Sequence, residues 1–254
     1  MITAATYEQS LATRKHYFLP NGTGFWKSDF IASAHDALPS PQAFLVEQDP
    51  NQVILPHFHE QNQFQIIVQG GGTLGRSVVA PITVHYAAAY TGYGPITAGA
   101  DGLWYFTFRP MMDNGALFVH ESRDKMQPLP KKHYHSAPLG SASEGELAAL
   151  TAAEIQPIHT DLDGPTIAII RVPPGQVLPV TGTGQGGGQF LLVTSGEMIA
   201  SGAGHPKWSC LWIGSEDCAL EGIAGERGVE VLSLEFPRQA YRATYIPGKY
   251  KYAD

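Results

Sequence analysis

The sequence has little charge and almost no cysteine, and both shortages exclude classes of protein. Charged residues make up 15% of the 254 residues, the net charge is −7, and there is no basic block. Binding to nucleic acid through neutralisation of phosphates is therefore not expected. The two cysteines, Cys210 and Cys218, lie in apolar or mixed surroundings. We expect buried thiols rather than a disulfide, because the sequence shows no secretion signal.

Long apolar runs are also missing from the sequence. No run reaches the roughly 18 residues of a membrane-spanning helix. The N-terminal stretch MITAATYEQSLATRKHYFLP lacks the charged-then-apolar pattern of a signal peptide. A soluble cytoplasmic protein is therefore expected. Glycine, with 28 residues, and proline, with 19, are abundant, which is typical of many short strands joined by turns.

The most informative stretch is LPHFHEQNQFQIIVQGGG, residues 55–72. His57 and His59 lie two positions apart, so on a strand both side chains point to the same face. Both imidazoles can therefore reach one ion. Gln63 follows four residues later, and the apolar run after it closes at three glycines, which predicts a second strand returning past the first.

The layout His-x-His-x3-(Glu/Gln)-x6-Gly resembles the first motif of the cupin superfamily, with Gln63 where that family usually has glutamate. The resemblance implies a β barrel that holds a divalent Fe, Mn, Ni or Zn ion, with His57, His59 and Gln63 as ligands and open positions for substrate. As a neutral oxygen donor, Gln63 would leave more positive charge on the ion and hold it less tightly. The competing interpretation is that the two histidines only line a cavity.

The second motif of that family, Pro-x-Gly-x2-His-x3-Asn, lacks its histidine here. The matching region HYAAAYTGYGPITAGADG has Thr91, Gly92 and Tyr93 where the ligand is expected. Two residues could replace it: Tyr93, whose phenol can bind a metal or act as a catalytic acid or base, and His85 on the preceding strand. Alternation along that strand allows either His85 or Tyr86 to face inward, but not both. The ordinary alternative for Tyr93 is a turn residue.

The second half of the sequence repeats the first. The leucine–proline pair before the histidines recurs at residues 178–179, 123 positions later, and the strand pattern that follows recurs from Gln189. Val180 and Gly182 stand in place of the two histidines. The repeat therefore predicts a second barrel that keeps the strand pattern and has lost its metal ligands.

Together these patterns predict an all-β protein of two tandem cupin-type antiparallel barrels, a bicupin. The predicted segments are an N-terminal arm (1–40), a first barrel with the site (41–112), a linker with a short helix (113–160), a second, degenerate barrel (161–240) and a C-terminal tail (241–254). In the linker, Ser143 and Glu146 form a capping box that opens the helix. His133 and His135 lie among lysines and prolines, so a solvated loop is expected there.

Three functions are compatible with this sequence. The first is a metal-dependent enzyme acting on a small oxygen-bearing molecule as a dioxygenase, isomerase or lyase, with Tyr93 or His85 moving protons. The second is a non-catalytic barrel that binds or senses a small molecule without metal, and the third is a storage or structural bicupin. The resemblance also implies a homodimer. Fold analogy cannot choose among these functions, because such barrels host many chemistries.

Overall fold

The computed structural model describes residues 2–32, 40–179, 186–217 and 220–238. Within these residues the chain divides into two units, one formed by residues 11–140 and the other by residues 2–10 together with 141–238. The paired strands of both units are antiparallel, which confirms the predicted all-β class. Among the described residues, no helix is long and apolar enough to cross a membrane.

The first unit is a barrel built on one large sheet. The preceding β1 (Thr3–Ala5) and α1 (Tyr7–Ser10) belong to the other unit. The elements of the first barrel are a 3-10 turn (Leu11–Thr13), β2 (Lys15–Phe18), β3 (Gly24–Ile31), β4 (Gln42–Gln48), β5 (Val53–Ile54), β6 (His57–Phe58), β7 (Gln63–Leu74), β8 (Ser77–Val79), β9 (Thr83–Ala87), β10 (Ile96–Arg109), β11 (Leu117–Phe118), α2 (Val119–Ser122), a second 3-10 turn (Arg123–Lys125) and β12 (His133–His135).

The strand order of the large sheet is β12-β9-β7-β10-β4-β3-β2, with β5 beside β10 and β8 beside β7, and β6 pairs with β11 in a small second sheet. The long strands β7 and β10 pair along most of their length, from Phe64 opposite Phe108 to Leu74 opposite Ile96. Their apolar side chains, including Ile67, enter a core that is continuous across the barrel. This pairing places both ends of β7, including the end that carries Gln63, against β10.

The second unit repeats this plan. Its elements are α3 (Glu144–Ala149), β13 (Glu154–Thr160), β14 (Thr166–Val172), β15 (Gln189–Ala200), β16 (Ala203–Pro206), β17 (Cys210–Ile213) and β18 (Gly222–Glu235). β15 has 12 residues, like β7, and β18 has 14, like β10, and both pairs are offset by 126 positions. The capping box of Ser143 and Glu146 at the start of α3 is confirmed.

The same backbone irregularity recurs in both barrels. Gly70 has φ 73°, and a Cβ there would collide with the carbonyl oxygen of Gly102. Gly196 has φ 69°, and a Cβ there would collide with the carbonyl oxygen of Gly228. Only glycine adopts a positive φ without strain and also leaves room for a carbonyl oxygen this close to its Cα. The glycine that closes each copy of the sequence repeat therefore lies at a β-bulge between the two longest strands of its barrel.

Several predictions fall outside the described residues or need correction. Val180, Gly182, Cys218 and the tail 241–254 lie outside the described residues, whereas Cys210 is a buried free thiol as expected. The segment 1–40 is not a single arm, because β1 pairs with β17 of the second unit while β2 and β3 extend the first sheet from β4.

The solvated loop expected at residues 133–135 is wrong. These residues form β12, which pairs with β9 at the edge of the first sheet. The open backbone edge of β9 supplies hydrogen-bonding partners that composition alone does not reveal. As a result, His133 and His135 belong to the first barrel.

Candidate functional site

A cleft in the first barrel is lined by both polar and apolar side chains. The polar lining residues are His57, His59, Gln65, Thr107 and Arg109, and the others are Leu19, Phe25, Phe44, Val46, Ile54, Tyr105, Ala116 and Phe118. Its free volume of about 60 Å³ has room for about four water molecules, which is the size of a small organic acid. The cleft therefore suits a small molecule with one polar and one apolar end.

His57 is fixed by its own backbone neighbours. Its backbone N–H donates to the carbonyl of Tyr93 at 3.1 Å, and the backbone N–H of Tyr93 donates back at 3.0 Å. The Nδ1–H of its ring donates to the carbonyl of Leu55 at 2.8 Å, so Nε2 keeps its lone pair. Burial, together with the nearby His59, lowers the pKa of His57 to about 3. His57 is therefore a neutral imidazole with a free acceptor nitrogen.

His59 is oriented by a buried carboxylate. Its Nδ1 lies 2.7 Å from Oδ1 of Asp113, which also accepts from the backbone N–H of Gly115 at 2.6 Å, while Oδ2 of Asp113 accepts from the backbone N–H of Glu60 at 2.9 Å. Burial alone would raise the pKa of Asp113, but His59 and Arg109 hold it below its ordinary value. Burial and then Arg109 lower the pKa of His59. Asp113 is thus ionised, and His59 is neutral.

Arg109, the last residue of β10, occupies the centre of this site. Its Nε and Nη2 donate to Oε1 of Gln63 at 3.2 and 3.0 Å, and its Nη1 donates to Oε1 of Gln42 at 2.8 Å. Nη2 also lies 3.2 and 3.3 Å from the two ring nitrogens of His59, and Nη1 lies 4.0 Å from Asp113. The guanidinium is almost fully buried. It therefore places a fixed positive charge beside two of the three predicted metal ligands.

The amide of Gln63 is held from both sides. Its oxygen accepts two N–H groups of Arg109, while its nitrogen donates to the hydroxyl of Tyr93. Tyr93 is buried, and its ring centre lies 4.5 Å from that of His57 and 4.9 Å from that of His85. Tyr93 is therefore not merely a turn residue, because it separates His57 from His85.

His85 faces the barrel interior, while Tyr86 packs on Phe64 on the opposite face with ring centres 5.0 Å apart. The Nδ1 of His85 lies 3.2 Å from Oε1 of Gln65. Its ring neighbours, however, are Tyr93 and the two histidines of β12. The structure thus brings His57, His59 and Gln63 together and places His85 in a second cluster.

The three grouped residues fit a divalent ion only in part. The ring centres of His57 and His59 are 5.3 Å apart, close to the ~5 Å of two imidazoles on one tetrahedral ion. The oxygen of Gln63, however, is already bound to Arg109. At 4 Å and an effective dielectric constant of about 20, two unit charges repel by about 4 kcal/mol, and a dication doubles this cost. In the part of the chain that the structure describes, no group of three His, Cys, Asp or Glu residues is placed to hold a metal. In this arrangement, His57, His59 and Gln63 do not fit a metal site with three protein ligands.

Sequence reasoning missed Arg109 and Asp113. Arg109 ends the aromatic strand LWYFTFR. A charged residue at the end of such an apolar strand is unusual, and this could have marked Arg109 as a functional candidate. Asp113 follows four residues later in an irregular segment, so no periodicity marks it. Both residues become functional candidates only when β10 is placed against β7.

No protein-family model matches the sequence, and no curated protein matches it. Solved structures do match. They include a nickel(II)-bound bacterial pirin from Escherichia coli (11% identity, TM-score 0.52, 94% of this chain and 100% of that one) and an oxalate decarboxylase from Lactobacillus farciminis in complex with formate (11% identity, TM-score 0.58, 91% and 86%). A salicylate 1,2-dioxygenase from Pseudaminobacter salicylatoxidans is also similar (9% identity, TM-score 0.54, 93% and 84%).

These matched structures are cupin-family proteins, so the chain has the cupin fold in two tandem antiparallel barrels. The predicted fold class is confirmed. The matched proteins include dioxygenases, a decarboxylase and a nickel-bound pirin, so their activities differ. At these identities the likeness shows the fold and not the activity.

The buried neutral histidines predict a protein that loses stability in mild acid. The folded-state pKa values of His57 and His85 are lowered to about 3, against about 6.5 in the unfolded chain. Below pH 6.5 the unfolded chain therefore binds protons that the folded protein does not, and stability falls as the pH falls toward 3. The two histidines together should cost about 4 kcal/mol between pH 7 and pH 5.

Urea unfolding followed by circular dichroism at pH 7, 6 and 5 measures this loss. His57→Asn removes one of these groups, so the loss of stability between pH 7 and pH 5 should be about 2 kcal/mol smaller in that variant. His120→Asn, at an exposed histidine, is the matched control and should keep the full dependence. Equal stability of the natural protein at pH 7 and pH 5 would contradict the prediction.

Proposed function

We propose that the first barrel binds a small organic hydroxy acid through its own side chains, without requiring a divalent ion. The observation that carries this proposal is the buried guanidinium of Arg109, which lines the cleft beside His57 and His59. Within the described part of the chain, its direct acceptors are two amide oxygens and an imidazole, and the nearest carboxylate oxygen, on Asp113, is 4.0 Å away. An anionic group in the cleft would therefore meet a positive charge that is only partly neutralised.

The neighbouring groups narrow the ligand class. Nε2 of His57 carries a lone pair, so it accepts a hydrogen bond from a hydroxyl and does not stabilise an anion. The apolar side chains that line the cleft would contact the hydrocarbon part of the ligand. An oxyanion for Arg109, a hydroxyl for His57 and a small apolar body together describe a hydroxy acid. Support also comes from the similar structures, one of which is in complex with formate and another of which is named for action on salicylate.

Calorimetric titration with three matched probes, in the presence of EDTA, tests this function. Lactate has both the hydroxyl and the carboxylate, propionate lacks the hydroxyl, and lactamide lacks the charge. We expect lactate to bind at least tenfold more tightly than either of the others. Arg109→Gln should weaken lactate binding at least tenfold, whereas Arg123→Gln, at an exposed arginine, should leave it unchanged.

Several outcomes would contradict the proposal. If lactamide bound as tightly as lactate, the carboxylate charge would have no role in binding. Equal binding by Arg109→Gln and the natural protein would remove the role of Arg109. Absence of binding by all three probes would reject this ligand class for the cleft.

A second candidate function is a metal-dependent enzyme acting on a small oxygen-bearing molecule, as a dioxygenase, isomerase or lyase. The hydrogen bond from His59 to Asp113 favours it, because a carboxylate commonly orients a metal-binding histidine in this way. The 5.3 Å separation of the rings of His57 and His59 also favours it. Here Tyr93, within contact of His57, would be the acid or base. One ion per chain in protein purified without an affinity tag, lost in His57→Ala, would select this candidate.

A further inference from the structure

A second cavity of the first barrel gathers three histidines. It has a volume of about 210 Å³ and is lined by Leu74, Gly75, Arg76, Ser77, His85, Gly92, Tyr93, Gly94, His133 and His135. It shares no lining residue with the cleft of His57, His59 and Arg109. What this cavity binds is therefore a separate question from the proposed function.

The strand register brings the three histidines onto one face. β12 pairs antiparallel with β9, with His135 directly opposite His85 and His133 opposite Ala87. His133 and His135 are two positions apart, so their side chains leave the sheet on the same side. The ring centre of His85 lies 6.4 Å from that of His133 and 6.2 Å from that of His135.

Among the described residues, two buried ring nitrogens of this cluster have no hydrogen-bond partner, Nε2 of His85 and Nδ1 of His135. His85 is completely buried, and its Nδ1–H is used by the oxygen of Gln65, so Nε2 presents a lone pair. A buried nitrogen that makes no hydrogen bond costs about 1–3 kcal/mol. Two such nitrogens in one cluster are therefore an expensive arrangement unless they serve a ligand.

The chemistry of these nitrogens decides the class of ligand. A lone pair on Nε2 of His85 cannot donate to an anion, but it can bind a cation. Neutral imidazoles are preferred ligands of borderline transition ions such as Zn²⁺, Ni²⁺ and Co²⁺. Burial, with His135 and His133 beside it, lowers the pKa of His85 to about 3, so this ring stays neutral. The one charged side chain of the lining, Arg76, is exposed.

We propose that His85, His133 and His135 bind one divalent transition ion in this cavity. None of the described residues forms a group already placed to hold a metal, and the ring separations here are roughly 1 Å wider than the ~5 Å that one tetrahedral ion requires. β12 is the edge strand of the sheet and His133 is exposed, so the proposed ion would have to draw in the β12 side chains by rotation. The remaining volume leaves a coordination position for water or another small ligand.

Titration of Co²⁺ into the full chain, purified without an affinity tag, tests the proposal. Visible absorption of Co²⁺ reports nitrogen ligation, and displacement by Zn²⁺ gives the competing affinity. We expect one ion per chain, bound at least tenfold more weakly by His133→Ala and by His135→Ala. His120→Ala, at an exposed histidine outside the cavity, should bind as the natural protein does.

The thermal midpoint gives a second measurement that requires no coloured ion. Zn²⁺ should raise the midpoint of the natural protein by several degrees but not that of His135→Ala, because a ligand stabilises only the state that binds it. Loss of Co²⁺ binding in His57→Ala with full binding in His135→Ala would assign the ion to the other cleft and overturn the proposal. Equal loss in His120→Ala, or no binding at all, would also overturn it.

Discussion

The double variant Arg109→Gln with Gln63→Glu is expected to bind Ni²⁺ or Zn²⁺ in the first cleft at least a hundredfold more tightly than the natural sequence. The change removes a positive charge that contacts two of the three donors, His59 and Gln63, and adds a negative charge at Gln63. A hundredfold corresponds to about 2.7 kcal/mol, well within the electrostatic effect of two unit charges a few ångströms from a dication. His57 and His59 keep the spacing that one ion requires.

The single variant Gln63→Glu is the informative control. The new carboxylate would pair with Arg109 as a bidentate ion pair, so the metal should gain little from it alone. Adding His59→Ala to the double variant should abolish binding, because one imidazole is lost. All proteins in this titration should carry His135→Ala, so that metal binding in the three-histidine cavity does not contribute. Tight metal binding by the protein with an intact Arg109 and Gln63 would contradict the prediction and support the metal-dependent candidate.

Asp113→Ala is expected to lower the free energy of unfolding by about 3–5 kcal/mol. The carboxylate accepts from His59 and from the backbone N–H groups of Glu60 and Gly115, and its charge offsets that of the buried Arg109. Removing it leaves three N–H donors without their acceptor and the buried guanidinium of Arg109 without this negative charge. Because the pKa of Asp113 is lowered on folding, its contribution is complete at pH 7 and fades only as the pH falls through its acidic titration.

Urea unfolding at pH 7 measures this loss. Asp113→Asn keeps the size and one acceptor oxygen, so it should recover part of the stability. Asp124→Ala, at an exposed aspartate, is the matched control and should change stability by less than about 0.5 kcal/mol. A loss below about 1 kcal/mol in Asp113→Ala would show that the carboxylate is not the counter-charge of Arg109.

The strands and their repeat were predictable because they depend on local pattern. Apolar and aromatic runs mark β7 and β10, and their equivalents recur 126 positions later with a glycine bulge at the same place. The capping box of Ser143 and Glu146 lies within four residues, so it is also a local signal, and the structure confirms it. The grouping of His57 and His59 followed in the same way from the period of a strand.

The remainder of the site depends on contacts between distant segments. Arg109 meets Gln63 across 46 positions, and Asp113 meets His59 across 54. Neither contact leaves a periodic trace in the sequence. β12 has only three residues, and its position is set by the free edge of β9 rather than by its own composition. The inward direction of His85 likewise depends on strand register, which the tertiary pairing decides.

The pairing of β1 with β17 has a consequence for synthesis on the ribosome. Thr3 lies opposite Trp212, so about 200 further residues must be translated before this strand finds its partner. At roughly 5–20 residues per second, that delay is on the order of 10–40 s. The first barrel, by contrast, contains its own partners within residues 11–140. The nascent chain can thus complete one barrel while the opening strand of the other stays unpaired and available to a chaperone.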